Sequence, residues 1–152
     1  MRDHPFHALI CILALLGAVF LARQSVAAEK IAGPVAAELI RVIDGDTVLV
    51  SAMPWPDHHV TTYVRLRGID APELKSRCPA IRSAAEQAQS TLTSLLDASP
   101  VVALTNISGD KYYGRVVAAL TLADGSDPAD ALLSAGLVDP YRGGRKKAVA
   151  CS

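Results

Sequence analysis

The sequence predicts a small α+β domain in which five short strands form a Greek-key barrel with helices packed beside it. Apolar, β-branched runs are separated by turn signals, one amphipathic helical pattern follows the third run, and a shorter helical pattern follows the fifth. Five strands with an interposed helix suit a partly open barrel of the OB type, although this pattern alone does not force the sheet to close.

Residues 1–28 are predicted to form an export signal. An apolar run from Ala8 to Ala22 follows a short charged start, and at about fifteen residues it is shorter than the roughly twenty that span a membrane. Val26 and Ala28 stand at the −3 and −1 positions of a signal-peptidase site, which predicts cleavage after Ala28. The alternative is an uncleaved N-terminal anchor, which the short apolar run disfavours.

Residues 29–152 are predicted to form one domain. Two apolar runs, Glu38 to Ile43 and Thr47 to Val50, predict strands joined at Gly45, because Asp-Gly between apolar runs indicates a hairpin. The two prolines of Met53 to His59 predict a connection. Val60 to Arg67 then alternates, with the side chains of Arg65 and Arg67 opposite the apolar face.

The second half is predicted to hold two helices and two strands. A helix opens at Cys78-Pro79 and ends before Pro100, since proline is tolerated at the first helical position. Its predicted buried stripe is Ile81, Ala85, Ala88, Leu92 and Leu95. Strands are predicted at Val101 to Ile107 and Arg115 to Ala123. A short helix at Pro128 to Ala135 follows Asp127 as N-cap and precedes Gly136, and the tail is predicted to be irregular.

The charge balance excludes binding of nucleic acid by a global basic surface. The full chain has 15 basic and 15 acidic residues, and without Arg2, Arg23 and Asp3 of the signal 13 and 14 remain. Positive charge that binds a polyanion must therefore be local. The tail residues Arg142 and Arg145, with two lysines after them, are either a solvated patch or an electrostatic guide for a nucleic-acid strand.

The two cysteines outside the signal are predicted to form a disulfide. Cys78 and Cys151 are an even pair in a chain that carries an export signal. The closed loop would stabilise the fold by about 4 kcal/mol in the chain-entropy model. The alternative is two free thiols.

Three polar clusters predict the chemistry: Asp44 to Thr47, then RLRGIDAPE from Arg65 to Glu73, then DKYYGR from Asp110 to Arg115. Carboxylates of Asp46, Asp70 and Glu73 at strand ends suit a hard divalent cation such as calcium or magnesium. Arg65 and Arg115 suit one phosphate, because a guanidinium donates two hydrogen bonds to it. A metal, a carboxylate base and paired arginines are a phosphodiesterase arrangement.

Together the three clusters resemble the staphylococcal nuclease (thermonuclease) family, in order and at compatible spacing, and the resemblance runs from about Glu38 to Val138, nearly the whole predicted mature chain. The resemblance implies a five-stranded OB-fold barrel and a calcium-dependent endonuclease that hydrolyses DNA and RNA, leaving 3′-phosphate ends. Magnesium is the less favoured metal.

The resemblance also implies roles for individual residues. Asp46, Asp70 and the backbone carbonyl of Ala71 are expected to bind the metal, with Asp44 as an outer-sphere or turn residue. The expected catalytic residues are Glu73, which activates water, and Arg65 and Arg115, which bind the scissile phosphate. Tyr113 is expected to contact the terminal phosphate. Lys111 is also expected to contact the substrate, and one extra residue relative to the family stands between Asp110 and Tyr113.

The expected protein is a monomer, secreted or periplasmic, that does not stay associated with a membrane after signal cleavage. Two other functions remain open: a nucleic-acid-binding module on the same fold without catalysis, and a barrel that binds a peptide or oligosaccharide. The retained carboxylates and arginines favour the enzyme. Arg67 is expected to be a surface strand residue.

Overall fold

The structure is a computed structural model that describes residues 29–144 and residue 151. The predicted export signal, residues 1–28, lies outside the described residues. Within the described part the strands are β1 (Lys30–Ile31), β2 (Val35–Val42), β3 (Thr47–Trp55), β4 (His58–Leu66), β5 (Ile69–Asp70), β6 (Val101–Gly109), β7 (Arg115–Thr121) and β8 (Asp139–Pro140). Helix α1 (Pro79–Asp97) lies between β5 and β6, and helix α2 (Pro128–Ser134) lies between β7 and β8.

The main sheet closes into a barrel. Its strand order is β1-β6-β2-β3-β4-β7, and a further pairing between β6 and β7 closes the last five of these strands on themselves. The β4–β7 pairing is parallel, whereas the other pairings around the barrel are antiparallel. The predicted fold class is therefore confirmed, and the barrel is closed, a point that the sequence pattern had left open.

One apolar core joins the barrel to α1. The period-two pattern of a half-buried strand places Val48 and Val50 of β3 inside, and Val48 lies opposite Val64 of β4. Helix α1 adds a stripe of buried residues at a spacing of three or four: Ala85, Ala88, Leu92 and Leu96. The predicted stripe is confirmed at its centre, but Leu95 is only half-buried and Leu96 takes the buried position, while Ile81 is also half-buried.

The helix boundaries follow the predicted signals. Cys78 is the N-cap residue of α1 and Pro79 is its first residue. The carboxylate of Asp127 accepts a hydrogen bond of 2.7 Å from the backbone N–H of Ala129 and caps α2. Gly136 follows α2 with a φ of +68°, the left-handed conformation for which glycine is favoured after a helix. No helix within residues 29–144 is long and apolar enough to cross a membrane.

The prediction of a connection at Met53 to His59 is wrong. Strand β3 continues to Trp55 and β4 begins at His58, so that a two-residue turn joins them, in which Asp57 has a φ of +62°. The β3–β4 register shifts between Ala52 and Trp55, where the ladder is interrupted. Pro54 lies in this interruption, where a missing backbone N–H costs the ladder little.

Cys78 and Cys151 form the predicted disulfide, with their Cα atoms 5.6 Å apart and 73 residues apart in the chain. Residues 145–150, which include part of the predicted basic tail, lie outside the described residues. The described beginning of this tail, residues 141–144, contains neither helix nor strand.

Candidate active site

A cleft of about 1110 Å³ opens where the three polar clusters meet. Its walls come from the turn before β3, a segment from the end of β4 to Lys75, the β6–β7 turn with the start of β7, and residues 141–144. Of the predicted site residues, those lining the cleft are Asp46, Arg65, Ala71, Glu73, Lys111 and Arg115.

The turn between β2 and β3 directs Asp46 inward. The carboxylate of Asp44 accepts a hydrogen bond of 3.0 Å from the backbone N–H of Asp46, an Asx turn, and the N–H of Ile43 donates to the carbonyl of Thr47 at 2.9 Å. The prediction of Asp44 as a turn residue is confirmed. Gln89 of α1 donates to the carbonyl of Ile43 at 2.9 Å and fixes the turn against the helix.

Gly45 is required here by close packing and not by a special backbone angle, because its φ lies outside the left-handed region. A Cβ at this position would lie 2.7 Å from the Cβ of Ala88 and 2.9 Å from the Cβ of Ala71. The turn therefore presses against both α1 and the segment that contains Ala71, and small residues on all three surfaces allow this approach.

Asp46 is a buried carboxylate with several donors around it, and only 3% of the residue is exposed. Its Oδ1 accepts a hydrogen bond of 2.8 Å from the hydroxyl of Thr47, and its Oδ2 accepts one of 2.8 Å from the backbone N–H of Ala71. Burial raises the pKa of the Asp46 carboxyl above its ordinary value, although the Ala71 hydrogen bond and the positive charge of Arg65 act in the opposite direction.

Arg65 bridges the two carboxylates that are predicted to bind metal. Its Nη1 lies 2.7 Å from Oδ1 of Asp46, and its Nη2 lies 2.6 Å from Oδ1 of Asp70. Burial lowers the pKa of the guanidinium, but the charge of Asp46 and the contacts with Asp70 outweigh this effect, and the pKa is raised above its ordinary value. The ring centroid of Tyr141 lies 5.7 Å from the guanidinium carbon, within the range of a cation–π contact.

The carboxylate oxygens around Arg65 are suitable ligands for a hard cation. Two carboxylate oxygens already share one cationic partner, and oxygen ligands of this kind are those that calcium and magnesium prefer. In the described part of the chain, however, no group of three or more His, Cys, Asp or Glu side chains is arranged to hold a metal ion. A metal at Asp46 and Asp70 would therefore have to take the place that the Arg65 guanidinium occupies between them.

Ala71 and Glu73 follow Asp70 on a segment that is held by β8 and the residue after it. Strand β5 pairs with β8, and the backbone N–H of Tyr141 donates to the carbonyl of Gly68 at 2.7 Å. Ala71 is buried, whereas the side chain of Glu73 is exposed and borders the cleft. An exposed carboxylate at this position has access to water.

The β6–β7 turn brings Arg115 to the same cleft. The Nε of Arg115 forms a short ion pair with Oδ2 of Asp110, and the ring of Tyr112 lies 4.6 Å from the guanidinium carbon. Lys111 approaches the same ring at 5.0 Å. Tyr113 is fully exposed and is not among the cleft residues, so its contact with a phosphate stays a prediction.

Three residues that line the cleft were not assigned to the site from the sequence. Tyr112 and Tyr141 each face one of the two arginines, and aromatic residues beside a basic cluster are the signal that points to them. Arg67, expected on the surface, is half-buried: its guanidinium donates hydrogen bonds to β6 and β7. Period-two alternation places a residue on one face of a strand, but it does not show that the neighbouring strands offer acceptors there.

Comparison with known proteins supports one family. The model of the staphylococcal nuclease homologue family matches residues 63–149, more than half of the chain, and this range includes the second and third polar clusters but not the Asp44 to Thr47 turn. A comparison with curated proteins finds no match. The family match and the closed barrel agree with the resemblance drawn from the sequence, and the chain belongs to the staphylococcal nuclease homologue family.

Proposed function

We propose that this protein is an exported, calcium-dependent nuclease that hydrolyses phosphodiester bonds of DNA and RNA with little sequence specificity. Membership of the staphylococcal nuclease homologue family supports a function related to nucleic acids and to their hydrolysis. The observation that carries the proposal is the convergence of Arg65, Arg115, Asp46 and Glu73 on one cleft, although they come from separate segments of the chain.

The two arginines supply the positive charge that a phosphodiester requires. A scissile phosphate gains negative charge on its oxygens as water attacks, and preorganised donors around those oxygens stabilise this charge. Arg115 is held by Asp110 and stacked near Tyr112. Arg65 is engaged with two carboxylates, so its positive charge is already shared with them before a phosphate binds.

Glu73 is the proposed general base. Its carboxylate takes a proton from the attacking water, the new P–O bond forms, and the bond from phosphorus to the 5′ oxygen of the next nucleotide breaks. The phosphate stays on the 3′ oxygen, and the departing 5′ oxygen acquires a proton from solvent. The exposure of Glu73 at the cleft border supports this role, because the base must reach a water molecule.

The proposed metal ligands are Asp46, Asp70 and the backbone carbonyl of Ala71. A calcium ion held there would supply positive charge to the phosphoryl oxygens as a Lewis acid. Its binding would replace the ion pairs that Arg65 makes with both carboxylates, and Arg65 would then be available to the phosphate.

The proposed substrate contacts do not depend on base identity. Tyr112 and Tyr141 beside the arginines can stack on bases, a contact that every base can make. Lys111 adds charge beside Tyr112.

Export is proposed from the predicted signal at residues 1–28, and a mature protein whose first residue is Glu29 by N-terminal sequencing would support it.

Glu73→Gln tests the enzyme against a binding module of the same fold. The mature protein is incubated with single-stranded DNA, with calcium and with a chelator. We expect cleavage only with calcium, and we expect Glu73→Gln to slow turnover by about 10²- to 10⁴-fold, the usual contribution of a general base. Glu86→Gln, which removes an exposed carboxylate of α1, is the matched control and should cleave like wild type.

Two outcomes would contradict the proposal. Unchanged turnover of Glu73→Gln would mean that the base is another group. Tight retention of DNA by the wild-type protein without cleavage in calcium would favour the non-catalytic binding module.

A further inference from the structure

We propose that Arg67 is a positioning residue that holds the β6–β7 turn, and with it Arg115, at the cleft. The proposal rests on the proposed role of Arg115 in binding a phosphate. It concerns a side chain that the sequence pattern had assigned to the surface.

One nitrogen of Arg67 connects three acceptors on two strands. Its Nη2 lies 2.7 Å from the carbonyl of Asn106, 2.8 Å from the hydroxyl of Ser108 and 2.9 Å from the carbonyl of Val117. The backbone N–H of Arg67 also donates to the carbonyl of Ala118 at 2.9 Å. Arg67, just past the end of β4, is thus bonded to β6 and β7 at once.

The acceptors lie where the ladder between β6 and β7 is irregular. The register of this pair shifts between Thr105 and Ser108, and Asn106 in the interruption has a φ of +49°. A bulge leaves a backbone group without its partner in the ladder and bends the strand. The guanidinium supplies a donor to the carbonyl of Asn106 there, and a charged donor makes a stronger hydrogen bond than a neutral one.

The contacts lie directly below the turn that carries Arg115. Ser108 and Val117 face each other as one rung of the β6–β7 ladder, and Gly109 and Val116 form the next. Beyond this rung are Asp110 and Arg115, which are joined by their ion pair and by a backbone hydrogen bond of 3.1 Å. Because Arg67 bonds to both members of the Ser108–Val117 rung, it fixes the direction in which the turn leaves the barrel.

The guanidinium of Arg67 is directed toward the barrel strands at the expense of one of its own donors. Its Nε is buried and has no hydrogen-bond partner among the described residues. The three acceptors of Nη2 hold this side chain against β6 and β7. Arg67 borders the cleft, so a direct contact with the ligand is the competing explanation.

A double-mutant cycle separates positioning from direct contact. The variants are Arg67→Met, which keeps the apolar stem, Arg115→Met, and the two combined. The probe is a fluorescent phosphorothioate oligothymidylate, which resists hydrolysis, and its dissociation constant is measured by fluorescence anisotropy. Arg41→Met, which removes an exposed arginine of β2, is the matched control for the loss of one positive charge.

We expect each single variant to weaken binding by about tenfold or more, the effect of losing charge-assisted hydrogen bonds. We expect the double variant to bind within about twofold of Arg115→Met alone, because Arg67 acts through Arg115. Arg41→Met should change the dissociation constant less than Arg67→Met does. Additive losses in the double variant would mean that Arg67 contacts the ligand itself, and they would overturn the proposal.

The cycle also distinguishes this proposal from the proposed function. Binding without cleavage by the wild-type protein, together with a non-additive cycle, would overturn the nuclease and support the role of Arg67. Cleavage together with an additive cycle would support the nuclease and overturn the role of Arg67. A wild-type protein that does not bind the probe would overturn both the nuclease and the role of Arg67. If Arg67→Met does not fold, Ser108→Ala replaces it, since this variant removes one of the three acceptors, and the same non-additivity is expected.

Discussion

Arg65→Met is expected to destabilise the metal-free protein because it leaves the Asp46 carboxylate buried without its counter-ion. The side chains of the pair are 13% and 4% exposed, and removing one partner of a buried pair costs about 3 to 5 kcal/mol. Asp46 keeps its hydrogen bonds from Thr47 and Ala71, so we expect about 3 kcal/mol, the low end of that range. With a slope of about 1.5 kcal/mol per M in urea, the unfolding midpoint should fall by about 2 M.

The loss of stability caused by Arg65→Met should increase with pH. Burial already raises the pKa of Asp46, and removal of Arg65 takes away an effect that lowers it. A carboxyl whose pKa is higher in the folded than in the unfolded protein favours folding when protonated, so its unfavourable effect grows as pH rises above the unfolded value of about 3.9. Arg65→Met should therefore lose more stability relative to wild type at pH 8 than at pH 5.

The assay is urea unfolding followed by circular dichroism in the presence of a chelator. Arg115→Met is the matched control. The arginine of its ion pair with Asp110 is more exposed, at 23%, so the loss of this pair should lower the free energy of unfolding less. In a second series, calcium replaces the chelator. Calcium should raise the unfolding midpoint of Arg65→Met more than that of wild type, because the ion would take the position between Asp46 and Asp70. A midpoint for Arg65→Met within about 0.3 M of wild type, set against the expected shift, would refute this account of the buried pair.

Two further predictions concern the scaffold around the cleft. Gly45→Ala should lower the melting temperature, since a Cβ would lie 2.7 Å from that of Ala88, and overpacking of this kind costs about 1 to 3 kcal/mol; an unchanged melting temperature would show that the turn relaxes without cost. Cys151→Ser should destabilise the fold by up to about 4 kcal/mol, because it opens a loop with a sequence separation of 73. Equal stability of this variant and the oxidised protein would contradict that loop-closure account.

The sequence allowed the barrel strands and helix boundaries to be predicted because local signals determined them. Asp127, Gly136 and Pro79 mark helix ends through their own backbone and side-chain chemistry. The continuation of β3 and β4 through MPWPDHH was missed, because two prolines normally interrupt a ladder. Pro54 is tolerated because the register shifts between Ala52 and Trp55, and Pro56 because it lies in the turn itself. A register shift is a property of the paired strands and is not visible in one strand's sequence.

The candidate site was predicted as a set of residues but not as a set of contacts. Asp46, Arg65 and Arg115 were identified, and all three line one cleft. The position of Arg65 between Asp46 and Asp70 could not be predicted, because it depends on how the turn and the end of β4 meet in space. Gly45 lies in the predicted turn, but its close contact with Ala88 could not be predicted, because it is a tertiary feature that a short sequence motif does not reveal.

The disulfide between Cys78 and Cys151 also determines whether the fragments of a proteolytic cleavage separate. The link encloses α1, β6, β7, α2 and β8 in one covalent ring. A single peptide-bond cleavage between these two cysteines opens the ring but leaves both fragments attached to each other. The nicked chain would keep its mass on a non-reducing gel and separate into two pieces after reduction. In surroundings rich in protease, a protein closed in this way can be cut once between Cys78 and Cys151 without losing either fragment.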